Sequence, residues 1–189
     1  IDREYVLNVG IYKPRKNHAG LLQAFRTMIQ SGCHAKLVIA GPMAAGAPVL
    51  RRLARELGIE EQVIFTGFVN DADLRALYSG ALVYACPSLY EGFGFTVLEA
   101  MACGAPVVCS SATSLPEVAG KAALYSDPLI PEEMARQLLR AFSDGALRTF
   151  LIEQGRRNLF RFNWEETARQ TLGVYHQALQ LPQPKAAYA

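Results

Sequence analysis

In the stretch YEGFGFTVLEA, Glu91 stands before a pair of glycines and Glu99 beyond them. An ionised carboxylate is an acceptor with two oxygens, so it can grip a vicinal diol, as an acidic residue grips ribose in dinucleotide folds. Gly92 and Gly94 allow backbone conformations closed to other residues and let main-chain amides come close to a ligand. A helix starting near Thr96 leaves the amides around Gly94 to Thr96 as outward donors, which a phosphate or pyrophosphate satisfies. Glu99 then falls in the first turn of that helix. The helix dipole alone is one reason for an acid there, and a hold on a diol is the functional reason. Glu91 would face the same pocket from the other side.

A second loop, GIYKPRKN from Gly10 to Asn17, carries Lys13, Arg15 and Lys16 in a turn stiffened by Pro14, just before a helical pattern. Cations at a helix start repel its dipole unless an anion joins them, so a phosphate site and a solvated basic turn are both open readings. The pattern is not a P-loop, because G-x-x-x-x-G-K-[ST] does not occur. A D-x-D triplet at Asp71 to Asp73 has the form of a metal motif, but it immediately precedes the helical run DLRALYSG. Helix capping by Asn70 or Asp71 explains it better. His18, His34 and His176 are isolated. His18 opens a helix beside the basic loop, with a surface role as the expectation and contact with phosphate as the alternative. The four cysteines, Cys33, Cys86, Cys103 and Cys109, sit in apolar runs without C-x-x-C spacing and read as buried, reduced thiols of a cytosolic protein.

The elements that must position these loops are regular. Apolar runs at 5–10, 35–41, 62–67, 82–87, 105–110 and 122–126 alternate with amphipathic stretches such as HAGLLQAFRTMIQ and PVLRRLARELG. Helical patterns around 131–143, 145–158 and 164–180 finish the chain. Strands apolar throughout, separated by helices, predict an α/β fold with a doubly wound parallel sheet of six strands covered on both faces. Such sheets bind ligands at the carboxyl ends of their strands, which directs attention to the loops at 10–17, 41–46, 67–70, 87–96 and 109–114. The expectation is one domain over residues 1–180, with 181–189 a frayed tail. A net charge of +2 with scattered basic residues argues against a nucleic-acid partner, and no apolar run approaches the length of a transmembrane segment. A chain beginning at Ile1 reads as a piece of something longer.

The pattern E-G-F-G-x-x-x-L-E-A-M-A-C-G-x-P-V-V resembles the E-x7-E signature of retaining glycosyltransferases of family 4, with Glu91 and Glu99 at the signature positions. PRKN, VIFTGFV, LRALYSGA, SLYEGFG and SLPEVAGKAALY follow in the family's order, and the terminal helix with Asn163, Trp164 and Tyr175 is similar too. The likeness covers about residues 5 to 180. It implies the Rossmann-like C-terminal half of a GT-B enzyme, which holds the nucleotide-sugar donor, while a missing N-terminal domain takes a saccharide or lipid-linked acceptor. By resemblance, Glu91 is the catalytic carboxylate that orients the transferred sugar. Phe93, Gly94, Phe95 and Thr96 offer amides to sugar and diphosphate, Lys16 and Arg15 neutralise the diphosphate, Glu99 holds the ribose, and Phe68 and Val69 meet the base. Many members carry an arginine where this chain has Ile11, and Arg15 is the natural substitute.

The implied activity is a metal-independent, cofactor-free hexosyl transfer. The donor is expected to be GDP-mannose, used in bacterial cell-surface polysaccharide biosynthesis such as that of lipopolysaccharide. The place of work is expected to be the cytoplasm or the inner face of the membrane. The isolated piece is expected to be inactive without its acceptor domain. A UDP-sugar-dependent relative and a non-catalytic nucleotide-binding module are the alternatives.

Overall fold

The computed structural model of the protein describes residues 4–42 and 46–180. The middle of the expected 41–46 loop and the expected frayed tail at 181–189 lie outside the described residues. The first strand, β1, runs Tyr5–Val9, and a 3-10 turn at Pro14–Lys16 leads into α1, His18–Gln30. There follow β2 (Lys36–Ala40), α2 (Ala47–Glu56), β3 (Val63–Gly67), α3 (Asp71–Gly80) and β4 (Val83–Cys86). The second half continues with α4 (Phe95–Ala102), β5 (Val107–Ser110), α5 (Leu115–Ala119), β6 (Ala123–Ser126), α6 (Pro131–Ser143) and α7 (Gly145–Leu159). The sheet has six strands in the order β3-β2-β1-β4-β5-β6, and every pairing is parallel.

Side chains alternate across a strand with period two, and here each face meets its own core. Val6, Leu37, Ile39, Val83, Ala85 and Val108 pack with α1, α2 and α6. Their neighbours Leu7, Val38, Ala40, Tyr84, Cys86, Val107 and Cys109 pack with α3, α4 and α5. That is why the strands read as mostly apolar runs, with Asn8 of β1 a buried polar exception. Burying a Val or Leu side chain contributes about 1.5–3 kcal/mol, so a one-residue slip that exchanged the two sets would misfit both cores.

Contacts divide the chain into two compact units, Ile1–Leu159 and Phe160–Ala189. The first holds the sheet. The second holds α8, Trp164–Gln180, whose start is capped by Asn163 Oδ1 accepting from the amides of Glu165 and Glu166 at 2.8 and 3.3 Å. Among the described residues no helix is long and apolar enough to cross a membrane.

Strand order is what locates the site. The sequence runs outward from β1 to β3, then returns to place β4 on the other side of β1. The loops leaving β1 and β4 therefore diverge from adjacent strands, and a crevice opens at this reversal in sheets of this class.

Candidate functional site

The two divergent loops are stitched together. The amide of Leu89 donates to the Arg15 carbonyl at 2.8 Å, and Arg15 Nη1 donates to the Tyr90 carbonyl at 3.0 Å. Asn17 anchors the join. It adopts a left-handed conformation (φ 53°), and its Oδ1 accepts from the Gly20 amide at 3.3 Å to cap α1. Its Nδ2 donates to the carbonyls of Pro87 at 3.1 Å and Pro128 at 2.8 Å, linking the loops after β1, β4 and β6. A Cβ at position 20 would lie 2.7 Å from Asn17 Oδ1, so only glycine leaves room for this cap. Sequence reading missed Asn17. The signal available was a left-handed-tolerant residue three positions before a glycine.

Glu91 is buried at the centre of this join, 8% exposed. Its Oε1 accepts from Lys16 Nζ at 2.6 Å and from Ser88 Oγ at 2.7 Å, and its Oε2 accepts from Arg15 Nη1 at 3.1 Å. Burial pushes the carboxyl pKa up, but hydrogen bonds from Lys16 and Ser88, the Lys16 charge and the Arg15 contact outweigh it and hold the group below its ordinary value. Glu91 is thus ionised at neutral pH. It can orient hydroxyls or stabilise positive charge, and it is poorly suited to donate a proton.

The main chain around Glu91 is held from the β5–α5 loop. Its amide donates to Thr113 Oγ1 at 3.1 Å, while Ser114 Oγ contacts the carbonyls of Glu91 at 3.0 Å and Phe93 at 2.6 Å. Thr113 has φ 55°, a strained setting for a β-branched residue. Ser88, Thr113 and Ser114 escaped the sequence reading, since a lone hydroxyl in a loop carries no spacing signal.

The turn itself differs from expectation in three respects. Only Gly94 needs to be glycine for its conformation: it has φ 125°, and a Cβ there would approach Leu115 Cδ2 to 3.0 Å. Gly92 has neither a positive φ nor any atom within 4 Å of a built Cβ. Gly94's conformation also lets α4 begin at Phe95, one residue before the expected Thr96, so no acid falls in the first turn. Glu99 sits further along the helix, outside the reach of the first-turn dipole explanation. Its Oε2 instead accepts from Tyr78 Oη of α3 at 2.9 Å. It lines a cavity of about 480 Å³ between α3 and α4 with Asp71, Leu74, Arg75, Tyr78, Ala102 and Cys103.

The remaining expected residues are placed as follows. Phe93 and Phe95 flank Gly94 with ring centroids 4.8 Å apart, and Thr96 is half-buried in the first turn of α4. Phe68, 79% exposed, and half-buried Val69 follow β3. Lys13 and Ile11 are exposed in the loop after β1, and Arg15 reaches Glu91. The structure therefore gathers Lys16, Arg15 and Glu91 directly, with Gly94 three residues past Glu91. It places Glu99 in the α3–α4 cavity, which neither Glu91 nor Lys16 lines, so the two acids do not face one pocket as expected.

Asn70 caps α3: its Oδ1 accepts from the Asp73 amide at 3.0 Å, and its Nδ2 donates to Asp73 Oδ2 at 2.8 Å. His18 is not a surface residue but is 2% exposed, stacked on Tyr12 with centroids 6.1 Å apart. Burial, reinforced by the Lys16 charge, lowers its pKa to about 4, so the ring is neutral at physiological pH. All four cysteines are free, with Cys86 and Cys109 buried and Cys33 and Cys103 half-buried.

A family model described as "Glycosyl transferases group 1" matches residues 2–158. The chain is 38% identical over 172 residues to O-antigen chain mannosyltransferase B of Escherichia coli, covering 90% of this chain and 45% of that one. Among solved structures it superposes on sucrose-phosphate synthase from Thermosynechococcus elongatus with TM-score 0.80 and 28% identity, over 94% of this chain and 46% of the other. The C-terminal domain of a glycosyl transferase group 1 family protein from Francisella tularensis has the same fold, with TM-score 0.74, 22% identity, and coverage of 83% and 85%. The chain spans less than half the length of the E. coli relative.

Proposed function

The chain is a member of the group 1 glycosyl transferases, and from that premise we propose that it forms the nucleotide-sugar-binding part of a retaining glycosyltransferase. The observation that carries the proposal is the cluster in which Lys16 and Arg15 converge on Glu91 beside the start of α4. Two cations and the positive end of a helix dipole concentrate the charge that a diphosphate requires, where the loops leaving β1 and β4 meet at the strand reversal. When the donor enters, Lys16 and Arg15 exchange part of their hold on Glu91 for the diphosphate oxygens. The freed face of Glu91 then orients the transferred sugar and stabilises the positive charge that grows as its bond to phosphate breaks. Lys16, Arg15 and the first-turn amides at Gly94 to Thr96 stabilise the departing diphosphate electrostatically, without a metal ion. Retention follows from attack on the face the diphosphate leaves, with a phosphate oxygen taking the acceptor proton.

Glu99 grips the ribose in the α3–α4 cavity, and Phe68 and Val69 contact the base. The likeness to an O-antigen chain mannosyltransferase supports mannose as the sugar and GDP-mannose as the donor, in cell-surface polysaccharide assembly. A saccharide or lipid-linked acceptor would be held by a second domain. Four unpaired cysteines fit a cytoplasmic place of work, with peripheral attachment to the inner membrane face as part of the proposal.

Calorimetric titration with GDP, UDP, ADP and their sugar conjugates tests the reading. GDP and GDP-mannose are expected to bind most tightly, and chelation with EDTA is expected to leave that binding unchanged. Tighter binding of UDP and a UDP-sugar would move the donor assignment to uridine. Indifference to every nucleotide would remove the donor site from this crevice.

A further inference from the structure

We propose that Tyr78 is a positioning residue, whose buried phenol donates to one oxygen of Glu99 and thereby aims the carboxylate at the ribose hydroxyls of the bound nucleotide. The inference rests on the reading of Glu99 as the ribose carboxylate and adds to it a residue from a different helix. Tyr78 lies on α3, is 2% exposed and packs its ring against Tyr84 with centroids 5.5 Å apart. The ring is therefore fixed before any ligand arrives. Its Oη stands 2.9 Å from Glu99 Oε2. Burial above all, together with the charge and hydrogen bond of Glu99, pushes the phenol pKa well up, so the proton stays on the oxygen and the group acts toward the carboxylate as a donor.

A phenol has one proton to give. Giving it to Oε2 leaves Oε1 with both lone pairs for a diol. An exposed glutamate otherwise spreads over several rotamers, and holding one of them in advance removes that loss from the binding step. The cavity that Tyr78 and Glu99 share, about 480 Å³, is within the range of small-molecule sites. A tyrosine that merely needed an acceptor for its hydroxyl would affect the fold and every ligand alike. A positioning tyrosine affects only the share of affinity that the ribose hydroxyls supply.

The test is calorimetry on the full chain with GDP and 2′-deoxy-GDP, comparing the wild type with Tyr78→Phe, Tyr84→Phe and Glu99→Gln. The wild type is expected to prefer the ribonucleotide about tenfold or more, because a site built to bond a hydroxyl rejects the analogue that lacks it. Tyr78→Phe should shrink that preference by about three- to tenfold, the worth of one hydrogen bond, by weakening GDP while leaving the deoxy form nearly unchanged. Tyr84→Phe, which alters the same packed pair but keeps the hydrogen bond from Tyr78 to Glu99, should keep the wild-type preference. Equal weakening of both nucleotides in Tyr78→Phe, an unchanged preference, or a matching fall in Tyr84→Phe overturns the proposal. A wild-type preference retained in Glu99→Gln overturns the ribose reading itself, and Tyr78's role with it. Failure of Tyr78 alone looks different, because Glu99→Gln then loses the preference while Tyr78→Phe keeps it. Thermal unfolding of each variant verifies that folded protein is being read. Should Tyr78→Phe prevent folding, 3-fluorotyrosine at that position keeps ring and hydroxyl, strengthens the donor and should raise the preference; an unchanged preference there overturns the proposal.

Discussion

Glu91 and Glu99 belong to one continuous stretch of chain, yet Glu91 is buried among Lys16, Arg15 and Ser88 while Glu99 is exposed and accepts from the Tyr78 phenol. The first is embedded in charge, with its backbone pinned by Thr113 and Ser114. The second leans on one neutral donor at the rim of a cavity. The difference teaches that an identical residue type takes its task from its neighbours. A carboxylate already matched to two cations can exchange those partners for a ligand's charge, whereas one held by a single phenol can only add a diol to what it has.

Removing Glu91 should have the largest effect. Glu91→Ala in the complete enzyme is expected to lower turnover by about 10²–10³-fold, the scale of losing one electrostatic stabiliser, while donor affinity measured by calorimetry is largely kept. Glu99→Gln should show the opposite split, with weakened binding and smaller change in turnover. Equal losses in both variants would erase the distinction between them.

Acid titration sharpens the same comparison and separates the cluster from its neighbour His18. The folded-state pKa of His18 is about 4, below its ordinary 6.5, so the fold favours the neutral ring. That contribution, on the order of 3 kcal/mol, is present above pH 6.5 and is lost as pH falls from there toward 4. Glu91 is also lowered, as a carboxylate, so its contribution is present above the ordinary 4.5 and is lost as pH falls through the folded value. Urea unfolding across pH 3–8 should therefore show His18→Phe flattening the upper window and Glu91→Gln the lower one.

Within the cation pair, Lys16 should outweigh Arg15, because the Lys16 side chain is mostly buried (14% exposed) and the Arg15 side chain is not (42%). Lys16→Ala is expected to weaken donor binding by about 10–100-fold, as for a charge-assisted hydrogen bond, and Arg15→Ala by less than about fivefold. The smallest contrast concerns the turn. Gly94→Ala should cost about 1–3 kcal/mol of stability in urea unfolding, from strain at its positive φ and the approach to Leu115, whereas Gly92→Ala should stay within about 0.5 kcal/mol.

Much of this molecule was legible in its letters because the physical signals are local. Apolar runs bounded by helices placed the six strands to within a residue or two, and the helical pattern around 131–143 matches α6, since apolar spacing is a property of nearby residues. The basic turn, the glycine-relaxed bend at Gly94 and the cap at Asn70 were legible for the same reason. What only the tertiary structure decided depends on residues far apart in the chain. The order β3-β2-β1-β4-β5-β6 brings Lys16 to Glu91 across 75 positions, and no local pattern encodes that pairing. Asn17 joins three loops, His18 turns inward under Tyr12, and Tyr78 meets Glu99, all through packing that a linear reading cannot add up. Sequence alone thus determined which groups the protein possesses and where its elements begin. The partner each charged group faces was set by the strand reversal, because an ion pair or a hydrogen bond depends on distance through space and not on distance along the chain.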